Sequence, residues 1–71
     1  MKVATQVIEQ LISLIDREEL KNGDRLPAER HLCERLGVSR TALREAIQQM
    51  NSVGITETRI GAGTFVKDVQ R

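Results

Sequence analysis

The sequence predicts a small α+β fold that is mainly helical, with three helices followed by a β-hairpin. Apolar residues recur at helical spacing over the first three quarters of the chain, and Gly23, Gly37 and Gly54 interrupt that pattern. The remaining residues are rich in β-branched side chains, which favour strands. A chain of 71 residues forms one domain, residues 1–71, because a second hydrophobic core would need a longer chain.

Two helices are predicted in the first half of the chain. The first runs from about Val3 to Leu20, and its apolar residues repeat every three or four positions: Val3, Val7, Ile8, Leu11, Ile12, Leu14 and Ile15. The second runs from about Ala28 to Leu36, directly after Pro27, because proline is tolerated at a helix entrance. Its inward residues are predicted to be Leu32, Cys33 and Leu36.

A third helix is predicted from about Arg40 to Val53. It follows a three-residue turn, Gly37-Val38-Ser39, in which Ser39 is a good N-cap. Its inward residues are predicted to be Leu43, Ala46, Ile47, Met50 and Val53, whereas one arc of about 100° on the other side holds Arg40, Thr41, Arg44 and Gln48. Two short helices joined by such a turn, the second with a polar stripe, are typical of a helix-turn-helix.

The last quarter of the chain is predicted to be a β-hairpin. The runs Ile55–Ile60 and Thr64–Lys67 favour strands, and Gly61-Ala62-Gly63 forms the turn between them. Three helices followed by a hairpin is the order of elements in a winged helix-turn-helix domain, with the glycine turn at the tip of the wing. Phe65 and Met50 are predicted to lie in the core.

Charge is distributed unevenly along the chain. Residues 1–24 carry three cations and five anions, whereas residues 25–71 carry eight cations and five anions. Seven of these eight cations are arginine, whose planar fork suits phosphate and guanine. The split is compatible with a nucleic-acid partner and, equally, with an ordinary solvated surface.

Composition argues against several classes of function. The longest charge-free stretch, Ala46–Thr56, is too short and too polar to cross a membrane, and the N-terminus lacks the apolar region of a signal peptide, so we expect a cytoplasmic protein without membrane contact. A lone Cys33 cannot form an internal disulfide, and a lone His31 cannot by itself hold a metal. We therefore expect no enzyme and no cofactor in this domain.

Four blocks of sequence carry a more specific signal. In order they are Gly23-Asp24-Arg25-Leu26-Pro27-Ala28-Glu29-Arg30, Leu36-Gly37-Val38-Ser39-Arg40-Thr41, Leu43-Arg44-Glu45-Ala46 and Gly61-Ala62-Gly63-Thr64-Phe65-Val66. Together they resemble the amino-terminal winged helix-turn-helix domain of GntR-family bacterial transcription regulators, and the third block is most similar to the FadR-like branch. The resemblance covers nearly the whole chain, and four blocks at the right spacing are a specific signal.

The resemblance implies sequence-specific binding of a double-stranded DNA operator, with the third helix in the major groove and the wing near the minor groove. The positions that match the family's DNA contacts are Arg30, Ser39, Arg40, Thr41, Arg44 and Gly61, and Gln48 joins them because it shares the stripe on the third helix. It also implies a full-length homodimer held by a larger carboxy-terminal effector domain. We expect residues 68–71 to begin a linker, and the isolated domain to be a monomer.

Some positions depart from the family pattern. Ala28 stands where many relatives have a serine that would cap the second helix, and Ala42 stands where proline is common. Ile60 and Ala62 occupy wing-tip positions that often hold hydrogen-bond donors. A neutral wing tip and a net charge of +1 keep an alternative open, namely a winged-helix module that contacts protein and does not bind DNA.

Overall fold

The computed structural model describes residues 4–67. It consists of α1 (Ala4–Arg17), α2 (Glu29–Leu36), α3 (Arg40–Ser52), β1 (Thr56–Arg59) and β2 (Gly63–Val66). The two strands pair antiparallel, with Thr56 opposite Val66 and Arg59 opposite Gly63, so residues 60–62 form the loop of the hairpin. The predicted winged helix-turn-helix fold is confirmed. Val3 and the predicted linker at 68–71 lie outside the described residues.

A short segment between α1 and α2 joins the hairpin. Leu26 N–H donates a hydrogen bond to the Thr64 carbonyl at 2.8 Å, and Val66 N–H donates to the Asp24 carbonyl at 2.8 Å. Residues 23–26 therefore lie along β2, where Arg25 forms an isolated antiparallel bridge with Phe65. This pairing attaches the wing to the chain that enters α2, so the wing and the helical body are held together by backbone bonds.

The hydrophobic core lies between the three helices and is closed by the hairpin. Its buried apolar residues are Val7, Leu11, Leu14, Ile15, Leu26, Leu32, Leu36, Leu43, Ala46, Ile47, Met50 and Val66. Most of the residues that the helical spacing predicts to face inward are in this set. Removing this apolar surface from water is the main favourable term that holds α3 in place.

Several side chains lie further out than predicted. Val53 is 70% exposed, because α3 ends at Ser52 and Val53 adopts a cap conformation (φ −99°, ψ 5°) outside the helical stripe. Ile12 is also exposed, and Cys33 is only partly buried against the core. Phe65 is half-buried, because successive strand residues face opposite sides of a sheet and its neighbour Val66 occupies the inner side.

Each of the three helices is followed by a residue in the left-handed conformation. Gly37 (φ 66°) and Gly54 (φ 82°) have this role after α2 and α3, whereas Glu19 (φ 52°) has it after α1. The Leu20 N–H donates to the Ile15 carbonyl at 3.0 Å, which is the bond that closes such a helix end. This reversal ends α1 at Arg17, earlier than the helical spacing suggests.

Replacing Glu19 with glycine is expected to stabilise the domain by about 0.5 to 1 kcal/mol, because a Cβ is strained at this positive φ. Urea unfolding would measure the change as a higher midpoint. Glu9, an exposed residue within α1, offers a matched control: Glu9→Gly should lower the midpoint, because glycine weakens a helix interior. A midpoint for Glu19→Gly at or below that of the parent chain would contradict the prediction.

Candidate nucleic-acid interface

The start of α3 is fixed by a side-chain cap. Ser39 is extended (φ −74°, ψ 159°), and its Oγ accepts a hydrogen bond from the Ala42 N–H at 3.1 Å. The predicted capping role of Ser39 is therefore confirmed. At α2, by contrast, Ala28 occupies the cap position and makes no side-chain cap bond, as its identity predicts.

The predicted polar stripe of α3 is on the surface. Four of its residues are exposed, namely Arg40, Thr41, Arg44 and Gln48. The opposite face is buried through Leu43, Ala46, Ile47 and Met50. The side chains of Arg40 and Arg44 are 62% and 65% exposed, so both guanidinium groups project from the domain one helical turn apart. The helix thus presents hydrogen-bond donors outward while its other face anchors it to the core.

A carboxylate from α2 bridges these two arginines. Glu29 Oε1 lies 3.1 Å from Arg40 Nε, and Glu29 Oε2 accepts a hydrogen bond from Arg44 Nε at 3.0 Å. The Glu29 side chain is only 33% exposed, so it is better ordered than a fully solvated acid. Its carboxylate raises the pKa of Arg44 above the ordinary arginine value, chiefly through this hydrogen bond. Glu29 therefore holds both forks in one orientation.

The other predicted site residues lie apart from this bridge. Arg30 is exposed on α2 and pairs with Glu34 on the same helix, with 3.7 Å between Nε and Oε1. Gly61 is exposed in the loop of the wing, beside Ile60, whose side chain is fully solvent-accessible. The site residues therefore form a cluster on α3, one position on α2 and one at the tip of the wing.

A chain of hydrogen bonds connects the end of α3 to the wing. Thr56 Oγ1 donates to Asn51 Oδ1 at 2.6 Å, and Asn51 Nδ2 donates to Thr58 Oγ1 at 3.0 Å. Thr58 and Thr64 share a further hydroxyl bond of 3.0 Å across the hairpin. Sequence analysis missed this chain, because polar residues of a strand that pack on a helix carry no periodic signal. It fixes the position of the wing relative to α3.

Asn51→Ala is expected to destabilise the domain by about 1 to 3 kcal/mol, because the buried Thr56 hydroxyl would lose its acceptor. Chemical denaturation would measure the loss, and amide hydrogen exchange should show the largest change in β1. Gln49, an exposed residue of the same helix, provides the control, and Gln49→Ala should leave stability nearly unchanged. Equal stability of the two variants would show that the chain of bonds is not structural.

The cations of the wing and of α2 differ in how they are engaged. Arg59 Nη2 lies 3.1 Å from Glu57 Oε1, and the guanidinium carbon of Arg59 lies 4.5 Å from the centre of the Phe65 ring. Arg35 pairs with Glu18 at the end of α1, and this hydrogen bond lowers the pKa of the Glu18 carboxyl. Arg59 is thus held against the surface of the wing, and Arg35 links α2 to the end of α1.

Residues 4–67 hold no group of three or more histidine, cysteine or acidic side chains that could bind a metal ion. None of the helices in this part of the chain is long and apolar enough to span a bilayer. What the surface does present is an ordered row of donors on a capped helix, next to a hairpin. The fold and this surface define a winged helix-turn-helix domain of the transcription-regulator class.

Comparison with known proteins identifies the family. The profile described as "Bacterial regulatory proteins, gntR family" matches residues 3–66, and the chain belongs to that family. Its sequence is 42% identical over 69 residues to the HTH-type transcriptional regulator Mce2R of Mycobacterium tuberculosis, covering 97% of this chain and 29% of that protein. The chain spans about a quarter to three tenths of the length of such curated relatives.

Solved structures show the same architecture. The structure described as Streptococcus agalactiae GntR superposes with a TM-score of 0.87 at 35% identity, over 93% of this chain and 32% of that one. The structure of AraR(DBD) in complex with operator ORX1 superposes with a TM-score of 0.81 at 33% identity, over 93% of this chain and 80% of that one. The family resemblance that the four sequence blocks indicate is therefore confirmed.

Proposed function

We propose that this domain binds double-stranded DNA sequence-specifically as the reader domain of a bacterial transcription regulator, with α3 in the major groove and the wing near the minor groove. The observation that carries the proposal is the exposed stripe of α3, with Arg40 and Arg44 projecting together from a helix whose reverse face is buried. A major groove about 12 Å wide admits one α-helix. The solved complex of AraR(DBD) with operator ORX1 supports this proposal.

Each residue of the stripe has a contact that suits its chemistry. Arg40 and Arg44 can each donate two hydrogen bonds to guanine O6 and N7, and each such contact is worth about 1 to 3 kcal/mol of base discrimination. Gln48 lies one turn further along and suits adenine, whereas Thr41 is short enough for a phosphate or a base edge. Ser39 stands at the amino end of α3, where the helix dipole favours a phosphate.

Two predicted contacts lie outside α3. Arg30 is exposed near the start of α2, where it suits the phosphate backbone across the groove. Gly61, in the loop of the wing, lets the main chain approach the minor groove without a side chain between them. Its neighbours Ile60 and Ala62 carry no side-chain hydrogen-bond donor, so we expect the wing tip to add little base discrimination.

The test is a selection of binding sites from a randomised duplex pool, followed by affinity measurements at increasing salt. We expect one sequence to be enriched, and log K for it to fall linearly with log salt, because phosphate contacts release counterions. A random-sequence duplex of equal length gives the reference. If no sequence is enriched and neither duplex is bound even at low salt, the domain is a protein-contact module, the reading that the exposed Ile60 at the wing tip favours.

Glu29 is expected to increase sequence selectivity by weakening the binding of random-sequence DNA. Its carboxylate lies beside both arginines, so Glu29→Gln removes a negative charge that repels phosphates and releases the two forks. We expect tighter binding to the random duplex and a smaller ratio of selected to random affinity, by about three- to tenfold, as expected from the loss of one close charge. Titration of both duplexes measures the ratio. Glu45→Gln, at an exposed position on α3, is the control and should leave it unchanged.

We also propose that the whole regulator is a cytoplasmic homodimer joined by a further carboxy-terminal effector domain, while this domain alone is a monomer. A dimer would read two half-sites about 34 to 36 Å apart, or a multiple of that spacing. Sedimentation of this chain at micromolar concentration should give the mass of one copy, 8.0 kDa. A tight dimer of the isolated domain would contradict this proposal and leave DNA binding itself untouched.

A further inference from the structure

Arg25 occupies a particular position beside the wing. It forms an isolated antiparallel bridge with Phe65 at the edge of β2, within the segment 23–26 that lies along that strand. In such a pair the two side chains lie on the same face of the sheet. Arg25 is exposed, and its main chain is held on both sides by the backbone bonds of Leu26 and Asp24. The guanidinium of Arg25 therefore projects from a main chain whose position is fixed.

The wing makes room for this side chain at Gly63. A Cβ at Gly63 would lie 2.5 Å from Arg25 Nε and 3.2 Å from both Cζ and Nη2, so the guanidinium lies directly over the glycine main chain. The φ of Gly63 is +115°, a conformation that other residues rarely adopt. The position of the Arg25 guanidinium thus depends on Gly63, which lies 38 positions further along the chain.

The guanidinium of Arg25 faces an open cleft between the helices and the wing. This cleft, of about 330 Å³, is bounded by the chain that enters α2 on one side and by the wing loop on the other. Its charged lining residues are Arg25, Arg59 and Glu29, and the Glu29 carboxylate is already paired with the two arginines of the α3 stripe. Arg59 is already engaged by Glu57 and Phe65. Arg25, in contrast, forms no ion pair with any carboxylate of residues 4–67. It is the cation of this cleft that is available to an anion.

We propose that Arg25 is a DNA-backbone contact of this domain, binding one phosphate in the cleft between α2 and the wing. The inference depends on the proposed function, because with α3 in the major groove and the wing near the minor groove, the phosphate backbone that separates the two grooves passes beside this cleft. Because the Arg25 guanidinium already lies against the main chain of Gly63, less side-chain entropy is lost when it binds a phosphate. Phosphate contacts position a protein on DNA and carry no base preference. Arg25 therefore sets affinity and orientation, whereas the α3 stripe sets sequence choice.

The test compares Arg25→Gln with the parent chain on the selected duplex and on a random duplex, over a range of salt. Removing one phosphate contact should make the negative slope of log K against log salt shallower by about 0.9, equally for both duplexes. Between about 50 and 200 mM salt, the ratio of parent to variant affinity should then narrow about 3.5-fold. Ethylation interference should also show one phosphate that blocks the parent chain but no longer affects Arg25→Gln.

Two variants control for charge. Arg25→Lys keeps the cation and should retain the parent slope, as should Arg17→Gln, which removes an exposed arginine of α1 away from this cleft. A slope for Arg25→Gln equal to that of the parent chain would overturn the inference. So would a slope for Arg17→Gln that is as shallow as that of Arg25→Gln, or a loss of affinity by Arg25→Gln for the selected duplex alone. If the parent chain binds and Arg44→Ala weakens it while Arg25→Gln does not, only this inference fails.

Discussion

Arg44→Ala is expected to reduce affinity for the selected duplex by about 5- to 150-fold, which corresponds to the loss of one bidentate base contact of about 1 to 3 kcal/mol. The Arg44 side chain is exposed and its fork is already ordered by Glu29, so the parent chain spends little side-chain entropy on forming the contact. The variant also leaves Glu29 with one fewer cation beside it, which adds repulsion between that carboxylate and phosphate. Fluorescence anisotropy of labelled duplexes measures the change.

Binding to random DNA separates the possible roles of Arg44. We expect the random duplex to lose far less affinity than the selected one, because a base contact is lost only where the correct base is present. Arg17→Ala, an exposed arginine of α1, is the matched control and should change both affinities by a similar, small factor. Equal losses on the two duplexes for Arg44→Ala would assign this residue to the backbone, and no loss on either would remove it from the interface.

Leu43→Ala is expected to have the largest effect on folding. Leu43 is fully buried on the reverse face of α3, and a buried leucine replaced by alanine typically costs about 2 to 5 kcal/mol. A chain of this length is expected to have a total stability of only about 4 to 10 kcal/mol. The variant should therefore show a large fall in the urea midpoint, with partial unfolding at 37 °C. Circular dichroism at the helical wavelengths follows both.

Val53 is the natural comparison for Leu43. Both are apolar residues that the helical spacing places on the inner face of the third helix, but Val53 is 70% exposed after the helix has ended. Val53→Ala should change stability by no more than about 0.5 kcal/mol. Similar losses for the two variants would mean that α3 packs differently from the structure described above, and would weaken the assignment of its outer stripe.

The residues of α3 show why so much of the fold could be predicted. Its inner positions repeat with the helical period, and the serine before it has a side chain suited to a cap. The outward direction of Arg40 and Arg44 follows from the same period, so the main candidate residues emerged with the helix itself. Local patterns of this kind depend on neighbours within one turn, which a single sequence contains.

What could not be predicted depends on pairs that are distant in sequence. Glu29 reaches Arg40 and Arg44 because the turn between α2 and α3 brings the two helices together. The helical period of each helix does not show how the two are placed relative to each other. The segment at residues 23–26 is held along β2 by backbone bonds, which leave no pattern in the side chains. The helical period predicts that Val53 faces inward, because that period does not show where a cap residue departs from the helix.

The bonds from Asn51 to Thr56 and Thr58 have one more consequence, which concerns the mechanics of the duplex. Because these bonds hold the hairpin against the end of α3, they fix the distance between the exposed stripe of that helix and the wing tip at Gly61. The groove widths of a bound duplex must then fit this distance, or the duplex must bend until they do. Steps that yield easily, such as TA, would be favoured at positions that no side chain touches.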